Sequence, residues 1–286
     1  MQVTGMPEFP IVDAHVHFWD PRQLDYPWLA TQPALRRPFD PSDYAAAVRD
    51  VPVRQIIVVE CNCVPGESVR EATYFGALAS ATPIIGIVAA AALTDETTLD
   101  ATLETLSQSP KVKGIRHNIQ GEAAGFCLQT TFVEGVRKVG RHGLTFDLCV
   151  THDQVRDATE LVRRCPGTRF VLDHCGKPAI RDGSVEPWRS DVARLAKSEN
   201  VWCKVSGLLT EADVNHREPS DLTPYMEHVI SCFGIARVMY GSDWPVLTLA
   251  GSYGQWYEVT RSLSDAWTET ERRSFYHDNA ARVYRA

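Results

Sequence analysis

No apolar run in this chain approaches the ~20 residues that a membrane-spanning helix requires, so a transmembrane helix is not expected. Positive charge is not in excess either. Twenty-nine lysines and arginines face 36 aspartates and glutamates, a formal net charge of −7, which argues against an electrostatic grip on nucleic acid or anionic lipid. The opening stretch MQVTGMPEFP lacks a basic region followed by an apolar core, so no signal peptide and a cytoplasmic location are expected. No Gly-rich dinucleotide or phosphate loop follows an apolar run. Ser206 and Ser242 have no histidine at a recognisable spacing, which disfavours a serine nucleophile. Low-complexity tracts, short repeats and linkers are also missing, so residues 1–286 read as one domain.

Eight cysteines would permit a disulfide framework in a small secreted domain, but 286 residues with 44% hydrophobic content build a core without one. Cys61 and Cys63 are one residue apart, which is not zinc-ribbon spacing, and no second pair answers them. Buried thiols in a reducing compartment are expected.

The chain does contain a rhythm. Short apolar, β-rich runs recur at IVDAHVH (from Ile11), QIIVVEC (Gln55), IIGIVAA (Ile84), VKGIRHN (Val112), LTFDLCV (Leu144), RFVLDHC (Arg169), VWCKVSG (Val201) and RVMYGSD (Arg237). Between them lie helix-like stretches such as ESVREATYFGALAS (Glu67), DETTLDATLETLSQ (Asp95), HDQVRDATELVRRC (His152) and EPWRSDVARLAKSE (Glu186). Near-continuous apolar strands alternating with helices are the pattern of a parallel sheet covered on both faces. Eight units predict an α/β fold, a single (β/α)8 TIM barrel, with a doubly wound open sheet as the alternative.

At the end of the first run stand His15 and His17. Alternate residues of a strand share a face, so both project the same way while Val16 points oppositely. Two such imidazoles hold a metal or polarise a carbonyl, or else are core side chains bonded to backbone. Other strand ends carry ionisable groups too: Arg116 and His117 on the fourth, His174 on the sixth with Lys177 beyond it, and Asp243 on the eighth. Burying such groups singly costs several kcal/mol each, so convergence in one wet, concave site at the barrel mouth is the cheaper arrangement.

These stretches, DAHVHFWDP…YPWL, KVKGIRHNIQGE, FVLDHCGKP, WCKVSGLLTEAD and YGSDWPV, together resemble the amidohydrolase superfamily. Within its amidohydrolase-related (amidohydrolase 2) branch they resemble the group of fuconolactonase, rhamnonolactonase and sulfomuconolactone hydrolase, with pyrone dicarboxylate lactonase more distant. The resemblance spans Ile11 to about Tyr284. It implies a barrel enzyme that opens a small lactone, of the sugar-acid or muconolactone type, by adding water. Asp243 would be the general base, and His15, His17 and His174 would surround the carbonyl, polarising it directly or through a metal. Arg116 would bind a substrate carboxylate or hydroxyl, with His117, Lys177 and Lys204 as further binding candidates. Trp19, Trp28 and Trp244 would wall the pocket and stack on a sugar face, or else pack loops.

The chain departs from metal-rich amidohydrolases at the fourth strand, where Arg116 and His117 stand in place of a lysine or glutamate ligand. A cation there opposes a second metal. The expectation is no required cofactor, or one divalent ion, zinc, on His15, His17, His174 and Asp243. On the fifth strand Asp147 is expected to be buried and structural, while His152 has no assigned role. Glu60 ends the second strand as a lesser candidate for substrate contact, Lys204 is open between pocket charge and internal ion pair, and His142, His216, His228 and His277 read as surface or packing residues. A metal-dependent decarboxylase and a ligand-binding barrel without turnover stand as alternatives to the lactonase. The expected partner is a small lactone, and a homo-oligomer is compatible with the sequence.

Overall fold

The computed structural model describes residues 9–215 and 217–286; His216 lies outside the described residues. Eight strands, β1 (Ile11–Val16), β2 (Val53–Val59), β3 (Ile84–Ala90), β4 (Val112–Arg116), β5 (Thr145–Leu148), β6 (Arg169–Leu172), β7 (Val201–Val205) and β8 (Val238–Tyr240), pair in sequence order. Every adjacent pair is parallel. The seam between β8 and β1 is closed by residues just past β8: Asp243 N–H donates to the His15 carbonyl (2.9 Å) and His17 N–H to the Trp244 carbonyl (2.8 Å). This is the expected (β/α)8 barrel, and all eight strand C-termini open on one mouth.

The helices are α1 (Pro41–Ala47), α2 (Ser68–Leu78), α3 (Leu99–Ser107), α4 (Thr130–Arg141), α5 (Val155–Arg164), α6 (Trp188–Leu195), α7 (Leu208–Glu211), α8 (Pro219–Phe233), α9 (Tyr253–Ser264), α10 (Glu269–Arg273) and α11 (Asn279–Tyr284). Their sequence patterns say why. In α3 the buried residues Leu99, Leu103 and Leu106 recur at four and three, one helical stripe against the sheet. Asp40 caps α1 by accepting from the Ser42 and Asp43 N–H groups. Alternation divides each strand: Ile57 and Val59 join Val12, Ala14, Val88, Val171 and Met239 in an inner cluster, while Ile56 and Val58 pack in the large cluster that includes the helices.

The inner cluster does not fill the barrel alone. Tyr284 at the end of α11 joins it, and buried Lys204, Asp147, Asp173 and Arg116 continue toward the mouth. All eight cysteines are free, seven of them buried, as expected. Among the described residues no helix is long and apolar enough to cross a membrane.

Candidate active site

The first histidine owes its direction to a β-bulge. Asp13 pairs with Ile56 and Val16 with Val58, so three steps along β1 match two along β2. Simple alternation would place Asp13 and His15 on one face. Instead Asp13 turns to accept O–H bonds from Tyr44 on α1 (3.0 Å) and Tyr253 on α9 (2.8 Å), plus the Ser242 N–H (2.8 Å). His15 turns to meet Lys204 and Asp173, and two residues on His17 reaches the mouth, as alternation predicts.

His17 Nδ1 lies 2.9 Å from the Val59 carbonyl, which can only accept, so this nitrogen carries the proton and Nε2 presents a lone pair. His15 Nε2 stands 3.1 Å from that lone pair. Asp243 Oδ1 is 3.4 Å from His17 Nε2, 3.7 Å from His15 Nε2 and 3.8 Å from His174 Nε2. The four side chains expected to meet do meet.

Two of them are held by left-handed backbone. Asp243 has φ 64°, a conformation aspartate tolerates better than most residues. His174 (φ 54°), Cys175 (55°), Gly176 (69°) and Lys177 (46°) form a run of four, at a cost of ~1–2 kcal/mol for each non-glycine member. The Lys177 N–H closes the turn on the His174 carbonyl (2.8 Å), and in an i→i+3 turn residues three apart eclipse. His174 and Lys177 therefore face the cleft together. The Trp188 indole N–H donates to the Cys175 carbonyl (2.8 Å) and holds the run in place. Ser206 Oγ meets His174 Nδ1 at 2.9 Å. Behind it Gly207 (φ 68°) admits no side chain, since a Cβ would stand 2.7 Å from His174 Nδ1.

Above these groups opens a cleft of about 240 Å³. Trp19 and Trp28, edge to face with centroids 5.3 Å apart, give it an aromatic part. Asn62, Asn118, Gln120 and Lys177 give it a polar part. Burial pushes the His174 imidazole down to about 4 and that of His15 well below its usual value, the latter helped by the Lys204 ammonium. Burial alone would raise Asp243, but the imidazoles of His174, His17 and His15 outweigh it and hold the carboxyl below the usual range.

Several expected binding residues are engaged in internal contacts or lie outside the cleft lining. Arg116 touches the cleft but gives its donors to the Glu60 carboxylate, the Glu60 carbonyl (2.7 Å) and Asp173 (3.1 Å), so it is first an internal ion pair. Lys204 is fully buried, bound to Asp147 (2.6 Å) and Asp173 (3.0 Å), and does not line the cleft. Asp147 is buried, as expected, and also accepts from the Tyr284 hydroxyl (2.6 Å). His117 accepts the Leu93 N–H (3.1 Å) and lines an adjoining small pocket with Glu60 instead. Trp244 is buried against Phe18, Phe39 and Tyr44, away from the cleft lining, because its strand end turns outward after Asp243. His152 begins the approach to α5, half-buried and outside the cleft lining. His228 bonds the Arg189 carbonyl and His277 pairs with Asp278, both packing roles. Sequence reasoning missed Asp173, Asn62, Asn118 and Gln120. Asp173 stood beside His174 in VLDHCGKP, an acidic residue at the end of an apolar strand run, which was signal enough.

The donor set fits one divalent cation. His15, His17 and Asp243 offer ligand atoms within 4.8 Å of one another, and the Val59 carbonyl orients His17 in the manner usual for metal-bound imidazoles. His15, Asp173 and His174 form a second such group, but Asp173 already faces Lys204 and Arg116, and that positive charge opposes a second ion.

A family model described as amidohydrolase matches residues 12–286. An L-fucono-1,5-lactonase of Burkholderia ambifaria is 32% identical over 280 residues, covering 96% of this chain and 95% of its own. A second L-fucono-1,5-lactonase, from Burkholderia multivorans, is 30% identical over 292 residues with coverage of 96% and 95%. Among solved structures, an amidohydrolase from Burkholderia multivorans with bound zinc superposes with a TM-score of 0.87 at 28% identity, covering 97% of this chain and 99% of that one.

Proposed function

The chain belongs to the amidohydrolase family, and on that premise we propose that it hydrolyses a 1,5-lactone of a deoxy or related sugar acid, with Asp243 as the base. The observation that carries the reading is the convergence of Asp243 with His15, His17 and His174 at the foot of a cleft that is part tryptophan and part amide and ammonium. A lactone ring of a sugar acid has matching parts: a C–H face that packs on Trp19 or Trp28, and hydroxyls for Asn62, Asn118, Gln120 and Lys177.

Water held against ionised Asp243 loses its proton to Oδ1 as its oxygen attacks the lactone carbonyl. The carbonyl oxygen gains negative charge, which N–H donors of the site stabilise best where solvent is excluded. Collapse of the tetrahedral intermediate breaks the ring C–O bond. Asp243, now protonated, returns the proton to the leaving hydroxyl and is ready for another cycle. A divalent cation held by His15, His17 and Asp243 would supply Lewis-acid polarisation of that carbonyl.

A panel of aldonolactones and muconolactone-type compounds, read by acid release in weak buffer, tests the reading. At least one sugar lactone should open well above its spontaneous rate. A silent panel combined with carbon dioxide release from an aromatic acid would replace it with decarboxylation.

A further inference from the structure

β8 is only three residues long, Val238–Tyr240, so Asp243 stands beyond the strand proper and depends on the seam with β1 for its place. Asp243 N–H donates to the His15 carbonyl (2.9 Å) and His17 N–H to the Trp244 carbonyl (2.8 Å). The N–H of Ser242, one residue before Asp243, goes to a side chain instead. It donates to Asp13 Oδ1 at 2.8 Å, and the same oxygen accepts the His15 N–H at 3.2 Å. A backbone N–H can only donate, so the direction of both bonds is fixed. One buried carboxylate oxygen thus ties β1 beside His15 to the chain beside Asp243.

We propose, on the reading of Asp243 as the base, that Asp13 is a positioning residue: its carboxylate fixes Ser242 and thereby sets where Asp243 stands against the lactone. The backbone calls for such a clamp. Asp243 has a left-handed φ of 64°, and conformations of this kind persist only where the surroundings over-determine them. Asp13 holds the residue before it, the His15 carbonyl holds its own N–H, and Trp244 after it bridges to Val16. Ser242 Oγ adds a bond to the His15 carbonyl (3.3 Å) and accepts the Trp244 N–H (3.0 Å).

The clamp is anchored in the helical layer. Asp13 Oδ2 meets the hydroxyls of Tyr44 on α1 (3.0 Å) and Tyr253 on α9 (2.8 Å), both buried. The two rings stand edge to face with centroids 5.9 Å apart, and that of Tyr44 also packs on Trp244 at 5.2 Å. The place of the base is thereby set from two helices of the outer shell. Asp13 itself does not line the cleft, where Trp19, Trp28, Asn62 and Asn118 stand ready for substrate. Its loss should therefore act on the chemical step and spare binding. A misplacement of about 1 Å at a reacting group is enough to cost ~10²-fold in rate.

The test is steady-state kinetics on the most responsive lactone of the panel, expressed per folded molecule and at matched metal content, for Asp13→Ala, Tyr44→Phe/Tyr253→Phe and Asp243→Asn. Asp13→Ala should lower kcat roughly 10–100-fold and change KM less than about twofold. The double phenylalanine variant removes only the two hydroxyls and should show a smaller loss of the same kind, about 3–10-fold in kcat. A merely structural aspartate would lower the melting temperature and leave kcat per folded molecule at the wild-type value. That result overturns the proposal, as does a raised KM with kcat unchanged. Should Asp13→Ala not fold, the double variant decides, and a wild-type kcat there overturns the proposal too. A wild type that opens no lactone, or an Asp243→Asn enzyme as fast as wild type, removes the base and the positioning role together. A slow Asp243→Asn beside a fast Asp13→Ala removes the positioning role alone.

Discussion

Replacing Asp243 by asparagine isolates the proton acceptor from everything else this residue does. Its backbone sits at φ 64°, where asparagine is as much at ease as aspartate, so the change adds no strain; alanine would add about 1 kcal/mol and blur the result. The amide has the carboxylate's shape, so no cavity opens. Its carbonyl oxygen can still face His17, His15 and His174 at the 3.4, 3.7 and 3.8 Å seen for Oδ1. What disappears is a buried negative charge able to take a proton. Loss of general-base assistance costs ~10²–10⁴-fold in rate, or about 3–5 kcal/mol of barrier. The expectation is a kcat lowered by that factor, a KM changed little, and a melting temperature within a few degrees of wild type. Continuous proton-release kinetics on a responsive lactone, with melting curves on the same samples, measure all three. A well-folded Asp243→Asn protein retaining kcat within tenfold of wild type would refute the assignment of the base. So would an unstable variant whose turnover per folded molecule is unchanged.

Arg116→Met should cost stability before it costs affinity, because it leaves Glu60 and Asp173 buried without their cation; a loss of about 3–5 kcal/mol in denaturant unfolding is expected, and wild-type stability with a raised KM would refute this. Elemental analysis of protein purified without added metal should find at most one divalent ion per chain, and two equivalents would contradict the opposition of Arg116 and Lys204 at Asp173. Glu71 predicts a pH dependence. Burial raises its carboxyl from 4.5 to about 8, with Glu60 adding to the effect, so the fold holds a proton that the unfolded chain releases. Its stabilising contribution is full below about 4.5 and declines as pH rises toward 8, by up to several kcal/mol, and melting curves should show that decline weakened in Glu71→Gln.

The barrel was legible because its evidence is periodic. Eight apolar runs divided by helical stretches leave few other ways to cover both faces of each strand, and the predicted helices from Glu67, Asp95, His152 and Glu186 differ from α2, α3, α5 and α6 mainly at their ends. The strand runs overshot at the mouth for a physical reason. Residues such as Asp243 leave the ladder in left-handed backbone to carry their side chains inward, a turn that apolar patterning does not register. The quartet of His15, His17, His174 and Asp243 was legible because each ends a strand of the same parallel sheet. The partners of Arg116 and Lys204 were not. Which cation meets which carboxylate depends on barrel register and on the β1 bulge, and one sequence carries neither; Asp147, Asp173 and Glu60 come from three different strand ends. Trp244 misled for a related cause, since a side chain one residue past Asp243 falls on the other side of the strand.

The most direct measurement follows L-fucono-1,5-lactone by NMR and mass spectrometry in ¹⁸O-enriched water, with and without the protein. Water attack at the carbonyl predicts opening far above the spontaneous rate and one ¹⁸O atom in the new carboxylate for each enzymatic turnover, with Asp243→Asn close to the background rate. Contradiction would be opening at the spontaneous rate for this lactone and its ring stereoisomers alike, or rapid opening that is undiminished in Asp243→Asn.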